Sequence, residues 1–343
     1  MDPVPASPAR RIFARVGRPL RGTALPVVLL ALAACSPHSP SALDPGGAGA
    51  SRVAGLWWLM FWISVVVFVE VMAFLTWALV FRRRARSARR GDPTRFVVVA
   101  GAVLPAFVLV AVYGVGLRDL AALGHGPDKA AVTVDAIGHK WWWEVRYAGS
   151  PGATANEIHI PVGEKVRIRL RTADVLHSFW VPQLMPKTDL IAGELRETWL
   201  RADRRGEYRG QCAEYCGLQH AHMAFLVVAQ PRADFDAWYA RLGAAAPAPQ
   251  TDDQRRGQEA FLQAACSSCH TVRGTPATGL VGPDLSDVGA RWSLGAGALP
   301  NDGGHLGGWI ANSQTSKPGN AMPPQPVPAD RLPDLIAYLR SLR

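Results

Sequence analysis

Two long apolar runs stand out in the first third of the chain, with a short polar segment between them. Residues 55–81 contain one acidic side chain, Glu70, and residues 96–117 contain no charged side chain. A helix needs about 20 apolar residues to cross the hydrocarbon core of a bilayer, so each run is long enough. Pro105 interrupts the second run, which a membrane helix tolerates. The pattern predicts a transmembrane hairpin over residues 55–117.

The positive charge of the chain is concentrated beside these runs. The net charge is +10, and residues 82–95, between the runs, hold seven arginines against Asp92. Cytoplasmic loops are enriched in basic residues, so we expect this loop inside the cell and both flanks outside it. After Arg95, the chain has 24 basic and 23 acidic residues. No folded domain is therefore basic enough to suggest nucleic-acid binding.

The first 34 residues have the layout of an export signal, because five arginines precede an apolar stretch too short to span a bilayer. The stretch Leu32-Ala33-Ala34-Cys35 resembles a bacterial lipobox. That resemblance implies cleavage before Cys35 and attachment of a lipid to its sulfur. The alternatives are ordinary signal cleavage nearby and an uncleaved segment with an incidental cysteine. Residues 35–54 are rich in Ser, Pro, Gly and Ala, and we predict a linker there.

Beyond the apolar runs, the periodicity changes twice. Apolar and polar side chains alternate in short stretches around residues 132–136, 158–160 and 166–170, which is typical of half-buried strands. Turn residues separate these stretches, so a β-sandwich or barrel is predicted over residues 118–240. A linker rich in Ala and Pro follows at 241–251. The last domain is predicted to be helical. It covers residues 252–343, with amphipathic patterns over 252–265 and 329–342.

The β domain contains a dense group of candidate metal ligands. Thiolate and thioether ligands select soft metals, and imidazole suits copper or zinc, so the spacing alone leaves zinc open. His177 lies 35 residues before Cys212, and the other candidates all lie within residues 212–223. The candidates are His177, Cys212, Glu214, Cys216, His220, His222 and Met223.

The pattern Cys-x-Glu-x-Cys-x3-His-x2-Met, preceded by His-Ser-Phe, resembles the dinuclear copper site (CuA) of cytochrome c oxidase subunit II. The resemblance implies an all-β, cupredoxin-like Greek-key barrel. It further implies that Cys212 and Cys216 bridge two coppers and that His177 and His220 ligate one copper each.

The same resemblance assigns weaker roles to two further residues. Met223 would be a weak copper ligand, and Glu214 would ligate through its backbone carbonyl. The carboxylate of Glu214 would also reach a magnesium ion at the contact with subunit 1. The family does not use the position of His222 as a ligand, so we expect its side chain either at the surface or next to a copper ligand without binding the metal.

Residues 138–143 resemble the aromatic run where electrons enter the CuA domain, and Trp141 takes the position of the entry tryptophan. Trp142 and Trp143 are equally compatible with a strand that carries core tryptophans. Residues 186–189 resemble the loop that docks on subunit 1. The glutamate that often opens the second membrane helix in relatives is missing here, and Glu70 in the first span has no assigned role.

The sequence Cys266-Ser-Ser-Cys269-His270 is the attachment pattern of a c-type haem. The two thiols add across the haem vinyl groups, and His270 becomes an axial ligand of the iron. Met322 is the one methionine after Met223, so we expect it as the second axial ligand; His305 is a weaker rival, expected in a loop. The segment resembles an all-α class I cytochrome c.

Together these parts resemble the caa3 type of cytochrome oxidase. The resemblance implies an electron-input subunit of a proton-pumping enzyme, with haem c passing electrons to CuA and on to the oxygen-reducing centre of subunit 1. The partners implied are subunits 1 and 3 and an electron donor such as cytochrome c or the bc1 complex. The β and cytochrome domains would lie on the outer side of the bacterial cell membrane.

Two other functions remain open from the sequence. One is the electron-input subunit of a CuA-containing nitric oxide reductase. The other is a copper-delivery or assembly protein, which would need no haem. A quinol oxidase subunit is excluded, because those relatives lack the CuA ligands.

Overall fold

The computed structural model describes residues 40–81, 93–124, 126 and 129–343. The predicted signal peptide, Cys35 and most of the Arg-rich loop lie outside these residues. All described residues belong to one unit, Pro40–Arg343. Along this unit, two apolar helices precede a β domain and then a smaller helical domain.

Two helices among the described residues are long and apolar enough to cross a membrane, Ala48–Phe81 and Thr94–Gly124. Helix α1 is Ala48–Phe81; the second helix consists of α2 (Pro93–Val98), a π-helical turn (Val99–Val103) and α3 (Leu104–Gly124). The π turn has a local cause. Pro105 has no backbone N–H, and its ring excludes the carbonyl four residues earlier, which a widened turn accommodates.

The predicted linker over residues 35–54 is wrong in its second half. Helix α1 begins at Ala48, and Ala50 and Ala54 are buried. The segment is ordered by the β domain: the Gly46 N–H donates to Gln183 O at 2.7 Å, and the Ala50 N–H donates to Leu184 O at 2.9 Å. Small residues therefore permit close packing here, whereas composition alone suggested a flexible chain.

Two glycines of α1 give a matched test of this packing. A Cβ on Gly49 would lie 2.1 Å from Met185 Sδ and 2.7 Å from Leu184 O, whereas a Cβ on Gly55 would meet no atom of the described residues within 4 Å. We expect Gly49→Ala to lower the free energy of unfolding of the β domain by about 1–3 kcal/mol through overpacking. Gly55→Ala should leave it unchanged or raise it by up to about 1 kcal/mol. Denaturant unfolding of the detergent-solubilised chain, followed by tryptophan fluorescence, measures both; equal effects would contradict the prediction.

The β domain consists of two five-stranded sheets with a shared core, as the alternating pattern predicts. The strands are β1 (Val132–His139), β2 (Trp142–Tyr147), β3 (Ala153–Ala155), β4 (Glu157–Pro161), β5 (Val166–Thr172), β6 (His177–Val181), β7 (Met185–Leu190), β8 (Arg196–Leu200), β9 (Gly206–Cys212) and β10 (Ala224–Gln230). The sheet orders are β3-β2-β1-β5-β8 and β4-β10-β9-β6-β7, and buried side chains from both sheets form one cluster. Along β1 and β5, buried and half-buried residues alternate.

Helix α4 (Arg232–Leu242) closes the β domain, so the first two residues of the predicted 241–251 linker are helical. The rest of that segment is held in place. The Ala246 N–H donates to Arg273 O at 2.9 Å, and Arg273 Nε donates to Ala244 O at 3.0 Å.

The C-terminal domain is helical at both ends, as predicted. Helix α5 (Asp252–Gln263) starts after a capping box formed by Thr251 and Gln254. It crosses the last helix at Gly257, where a Cβ would lie 2.0 Å from Asp334 O. The helices are α5 (Asp252–Gln263), α6 (Cys266–Cys269), α7 (Gly303–Asn312) and α8 (Leu332–Ser341), with the short strands β11 (Ser293–Leu294) and β12 (Leu299–Pro300) between α6 and α7.

Candidate copper and haem sites

The six predicted copper ligands converge at one end of the β domain. His177 opens β6, Cys212 ends β9, and the remaining ligands lie in the loop that leads into β10. His177, Cys212 and Cys216 are buried and present ligand atoms within 4.8 Å of one another. The other contacts are Cys212 Sγ–Cys216 Sγ 3.8 Å, Cys212 Sγ–His177 Nδ1 3.8 Å, Cys216 Sγ–His220 Nδ1 3.6 Å, Cys216 Sγ–Met223 Sδ 3.8 Å and Cys212 Sγ–Glu214 O 3.3 Å.

These separations suit donors that share metal ions. Two ligand atoms that each lie about 2.3 Å from one ion at a tetrahedral angle are about 3.8 Å apart. Both cysteine sulfurs have such neighbours on two sides, which is the arrangement expected of bridging ligands. The buried thioether of Met223 adds a soft donor, which favours copper over zinc. The residues therefore fit a copper pair.

The two thiols titrate as a unit. The neighbouring Cys216 lowers the pKa of Cys212 to about 3, against the opposing effect of burial. The same contact, together with burial, raises the pKa of Cys216. The pair therefore releases its protons in two separate steps, and metal binding has to displace the second proton.

Groups behind the ligands hold them in place. His177 Nε2 is 2.8 Å from Asp174 Oδ1, so Nδ1 is left to face Cys212, an arrangement common for metal-binding histidines. The Trp143 ring lies 6.1 Å from the His177 ring and 5.2 Å from that of Phe225. Asp174 was not among the sequence predictions. An acid three residues before a candidate ligand histidine could have indicated a carboxylate that orients the imidazole.

Two neighbouring side chains lie outside the cluster. His222 is exposed, and its Nδ1 is 2.7 Å from Gln219 Oε1, consistent with the surface position expected for it. The Glu214 carboxylate lies 3.2 Å from Lys187 Nζ, which is also 3.2 Å from Asp189 Oδ1. The candidate magnesium ligand and the candidate docking loop therefore share one exposed ionic group.

A large cavity in the helical domain is lined by all four predicted haem ligands. It contains about 1420 Å³ of empty space, part of it open to solvent, and its lining includes Cys266, Cys269, His270 and Met322. His270 Nδ1 donates to Pro283 O at 2.8 Å, which leaves Nε2 unprotonated and available to an iron. Burial lowers the pKa of His270 and so keeps the imidazole neutral.

The loop that carries Met322 is fixed by side chains from the same domain. Met322 O accepts hydrogen bonds from Ser313 Oγ at 2.8 Å and Gln314 Nε2 at 2.9 Å, and the Met322 N–H donates to Asn320 Oδ1 at 2.8 Å. His305, the rival ligand, does not line the cavity. It lies in helix α7, where a loop was expected, because Asp302 caps the helix N-terminus through the His305 N–H.

Arg291 provides an independent test of whether this cavity fits a haem. Its side chain is 5% exposed and lines the cavity, and its Nε has no hydrogen-bond partner among the described residues. Its Nη2 contacts Asp284 O and Asp287 Oδ1. A haem carries carboxylate groups, and a buried guanidinium with a free donor suits a carboxylate. Arg291 has no local pattern, so the sequence did not identify it.

Trp141 joins the two sites. Its indole N–H donates to Cys216 O at 2.9 Å, and the same residue lines the haem cavity. Trp141 is 9% exposed. Trp143 is a core residue at 1% exposure, whereas Trp142 is half-buried and stacks on His139 at 4.3 Å between ring centroids.

Comparisons with known proteins match both regions. The family "Cytochrome C oxidase subunit II, periplasmic domain" matches residues 150–230, and the family "Cytochrome c" matches residues 254–343. Cytochrome c oxidase subunit 2 of Alkalihalophilus pseudofirmus is 39% identical over 213 residues, which cover 62% of this chain and 61% of that protein. The Bacillus sp. (strain PS3) protein of the same name is 33% identical, with 63% and 64% coverage.

The chain thus spans less than two thirds of these two relatives. The cytochrome c oxidase subunit 2 of Bacillus subtilis (strain 168) is 28% identical over 320 residues, which cover 87% of this chain and 90% of that protein. At 87% coverage, that match reaches into both regions. The chain is therefore similar to cytochrome c oxidase subunit 2 proteins, with a match to their periplasmic domain followed by a C-terminal match to cytochrome c.

Proposed function

We propose that this chain is the electron-input subunit (subunit 2) of a membrane-bound, proton-pumping haem-copper cytochrome c oxidase. The observation that carries the proposal is Trp141: one buried side chain is hydrogen-bonded to a candidate copper ligand and also lines the candidate haem cavity. A chain built to relay electrons between two centres needs such a contact, whereas a copper-delivery protein does not.

When bound, a copper pair and a haem supply reversible one-electron chemistry. The residues of this chain would bind, orient and shield them. His177, Cys212, Cys216 and His220 would hold the copper pair, with weaker contacts from Met223 and Glu214 O. Burial of the two thiols excludes water, and the Asp174 carboxylate fixes the orientation of His177. A rigid ligand frame of this kind limits rearrangement during electron transfer.

The helical domain would hold a covalent haem through Cys266 and Cys269. Pro283 O orients the His270 ring, and the hydrogen bonds of Ser313, Gln314 and Asn320 fix the Met322 backbone. The His270 and Met322 side chains would hold the haem iron. Trp141 excludes water from the space between the two sites and supplies a packed path, which is our basis for naming it the electron-entry residue of the copper domain.

The remaining assignments place the chain in its complex. We propose that the two apolar helices span the bacterial cell membrane, with the copper and cytochrome domains outside and a lipid anchor at Cys35. The surface around Lys187 and Glu214 would face subunit 1, where a magnesium ion would have to displace the lysine from the carboxylate. Subunit 3 would complete the complex. Cytochrome c or the bc1 complex would supply electrons.

Purification of the complex, with metal analysis and a haem-stained denaturing gel, tests this function. We expect a copper pair and a covalent haem on this chain, and oxygen consumption driven by reduced cytochrome c. Nitric oxide consumption without oxygen consumption would assign the chain to a nitric oxide reductase. A single labile copper without haem would instead indicate copper delivery.

A further inference from the structure

Lys317 is a buried cation that the proposed function does not use. It is 2% exposed, whereas the four other lysines of the chain are exposed. Burial of an ammonium group is costly unless it is fully hydrogen-bonded. Burial lowers the pKa of Lys317 to about 7, so the charged form depends on the hydrogen bonds that the amine makes.

Three backbone carbonyls accept hydrogen bonds from the Lys317 ammonium group. Lys317 Nζ donates to Trp141 O at 2.7 Å, to His222 O at 2.6 Å and to Gly295 O at 2.6 Å. An ammonium has three donors and no acceptor, so this set of carbonyls satisfies it completely. Removal of the amine would leave three buried carbonyls without their partner.

The three carbonyls belong to separate parts of the chain. Trp141 lies in the turn between β1 and β2, and His222 directly precedes the copper ligand candidate Met223. Gly295 lies in the cytochrome domain between β11 and β12. One side chain therefore ties the electron-entry turn, the copper-ligand loop and the cytochrome domain together.

Lys317 is itself part of the loop that leads to Met322. Asn320 Nδ2 donates to Lys317 O at 2.7 Å, and Asn320 Oδ1 accepts from the Met322 N–H at 2.8 Å. The anchored amine and the methionine are thus linked by two short hydrogen bonds through one asparagine. A shift of Lys317 would be passed on to Met322.

Neighbouring contacts cross the same interface. Gln219 Nε2 donates to Pro318 O at 2.8 Å, and the Ala224 N–H donates to Ala296 O at 2.9 Å. A separate hydrogen bond joins Thr154 Oγ1 to Asp287 Oδ2 at 2.6 Å. Lys317 is the charged group at the end of the interface where the copper loop and the haem cavity meet.

We propose that Lys317 is a positioning residue, which locks the Met322 loop and the haem cavity against Trp141 and the copper-ligand loop. The proposal rests on the proposed function, because the step that depends on this position is electron transfer within the chain. With both groups bound, that step would move one electron from the haem to the copper pair. Lys317 would keep the distance between the two sites fixed during the step.

The test compares Lys317→Met with Lys165→Met in the assembled complex. Lys165 is exposed and lies over the Trp199 ring at 4.8 Å, so its replacement removes the same charge far from the interface. We expect Lys317→Met to slow haem-to-copper electron transfer at least tenfold, with copper content and haem content unchanged. Lys165→Met should leave the rate unchanged.

A second measurement does not depend on electron transfer. The Ala224 amide crosses the interface to Ala296, so its hydrogen exchange reports separation of the two domains. We expect Lys317→Met to accelerate this exchange at least tenfold and Lys165→Met to leave it unchanged. Wild-type exchange and transfer rates in Lys317→Met, with copper and haem in place, would overturn the proposal.

Lys317→Arg separates position from charge. A planar guanidinium does not reproduce the three convergent donors of an ammonium, so we expect slow transfer and fast exchange as in Lys317→Met. Wild-type behaviour of Lys317→Arg would assign the effect to charge alone and overturn the positioning role. A wild-type chain that lacks copper or haem would instead refute the proposed function, and the exchange data would still decide whether Lys317 locks the domains.

Discussion

Replacement of Cys216 by serine is expected to abolish the copper pair and leave the haem attached. Cys216 Sγ lies 3.6–3.8 Å from ligand atoms of three other candidate residues, Cys212, His220 and Met223. A hydroxyl is a poor ligand for a soft metal, so the serine side chain cannot replace the lost thiolate. Mutation of a residue that only supports a metal ligand typically lowers metal affinity or activity 10–100-fold. We expect the loss of a bridging ligand to reduce electron transfer to subunit 1 by more than about 100-fold.

Metal analysis, the mixed-valence copper signal in electron paramagnetic resonance and a haem-stained gel measure this outcome together. Tyr215→Phe is the matched control, because Tyr215 is adjacent and 75% exposed. It should retain copper, signal and activity. Persistence of the mixed-valence signal in Cys216→Ser would remove Cys216 from the site.

Replacement of Met322 by alanine is expected to leave the haem covalently bound and to lower its reduction potential. Axial methionine raises the potential of a c-type haem, and axial ligands as a class tune potentials over about 0.8 V. We expect a fall on the order of 0.2 V. Because about 59 mV corresponds to a tenfold change for one electron, reduction by a high-potential donor becomes less favourable by about three orders of magnitude.

A redox titration of the haem band measures this shift, and His305→Ala is its control. His305 lies on α7, with its ring Nδ1 2.6 Å from Asp302 Oδ2, and does not line the cavity. We expect a wild-type potential for that variant. A fall in potential for His305→Ala, with no change for Met322→Ala, would reverse the assignment of the axial ligand.

Interdomain contacts could not be predicted from the sequence. Lys317 lies in an ordinary-looking stretch, and nothing local distinguishes it from the exposed Lys165. Its role depends on three carbonyls that lie 176, 95 and 22 residues away along the chain. The same holds for Arg291, whose unpartnered Nε is a property of the cavity.

The N-terminal segment illustrates a different limit. Residues rich in glycine and alanine are typical both of flexible linkers and of closely packed backbones, and composition does not separate the two. The segment is ordered because the carbonyls of Gln183 and Leu184 accept hydrogen bonds from Gly46 and Ala50. These carbonyls belong to the β domain, more than 130 residues further along the chain.

The sequence by itself determined the features whose physical cause is local. These are the two apolar helices, the alternating strands, the thiol and imidazole ligands spaced for a metal, and the Cys-x2-Cys-His pattern for a haem. Each depends on the covalent neighbours of a residue or on the period of a single element. Only the tertiary structure decided that the cytochrome domain docks on the copper domain, with Trp141 and Lys317 between them. That arrangement depends on hydrogen bonds and burial between distant segments, which no local pattern encodes.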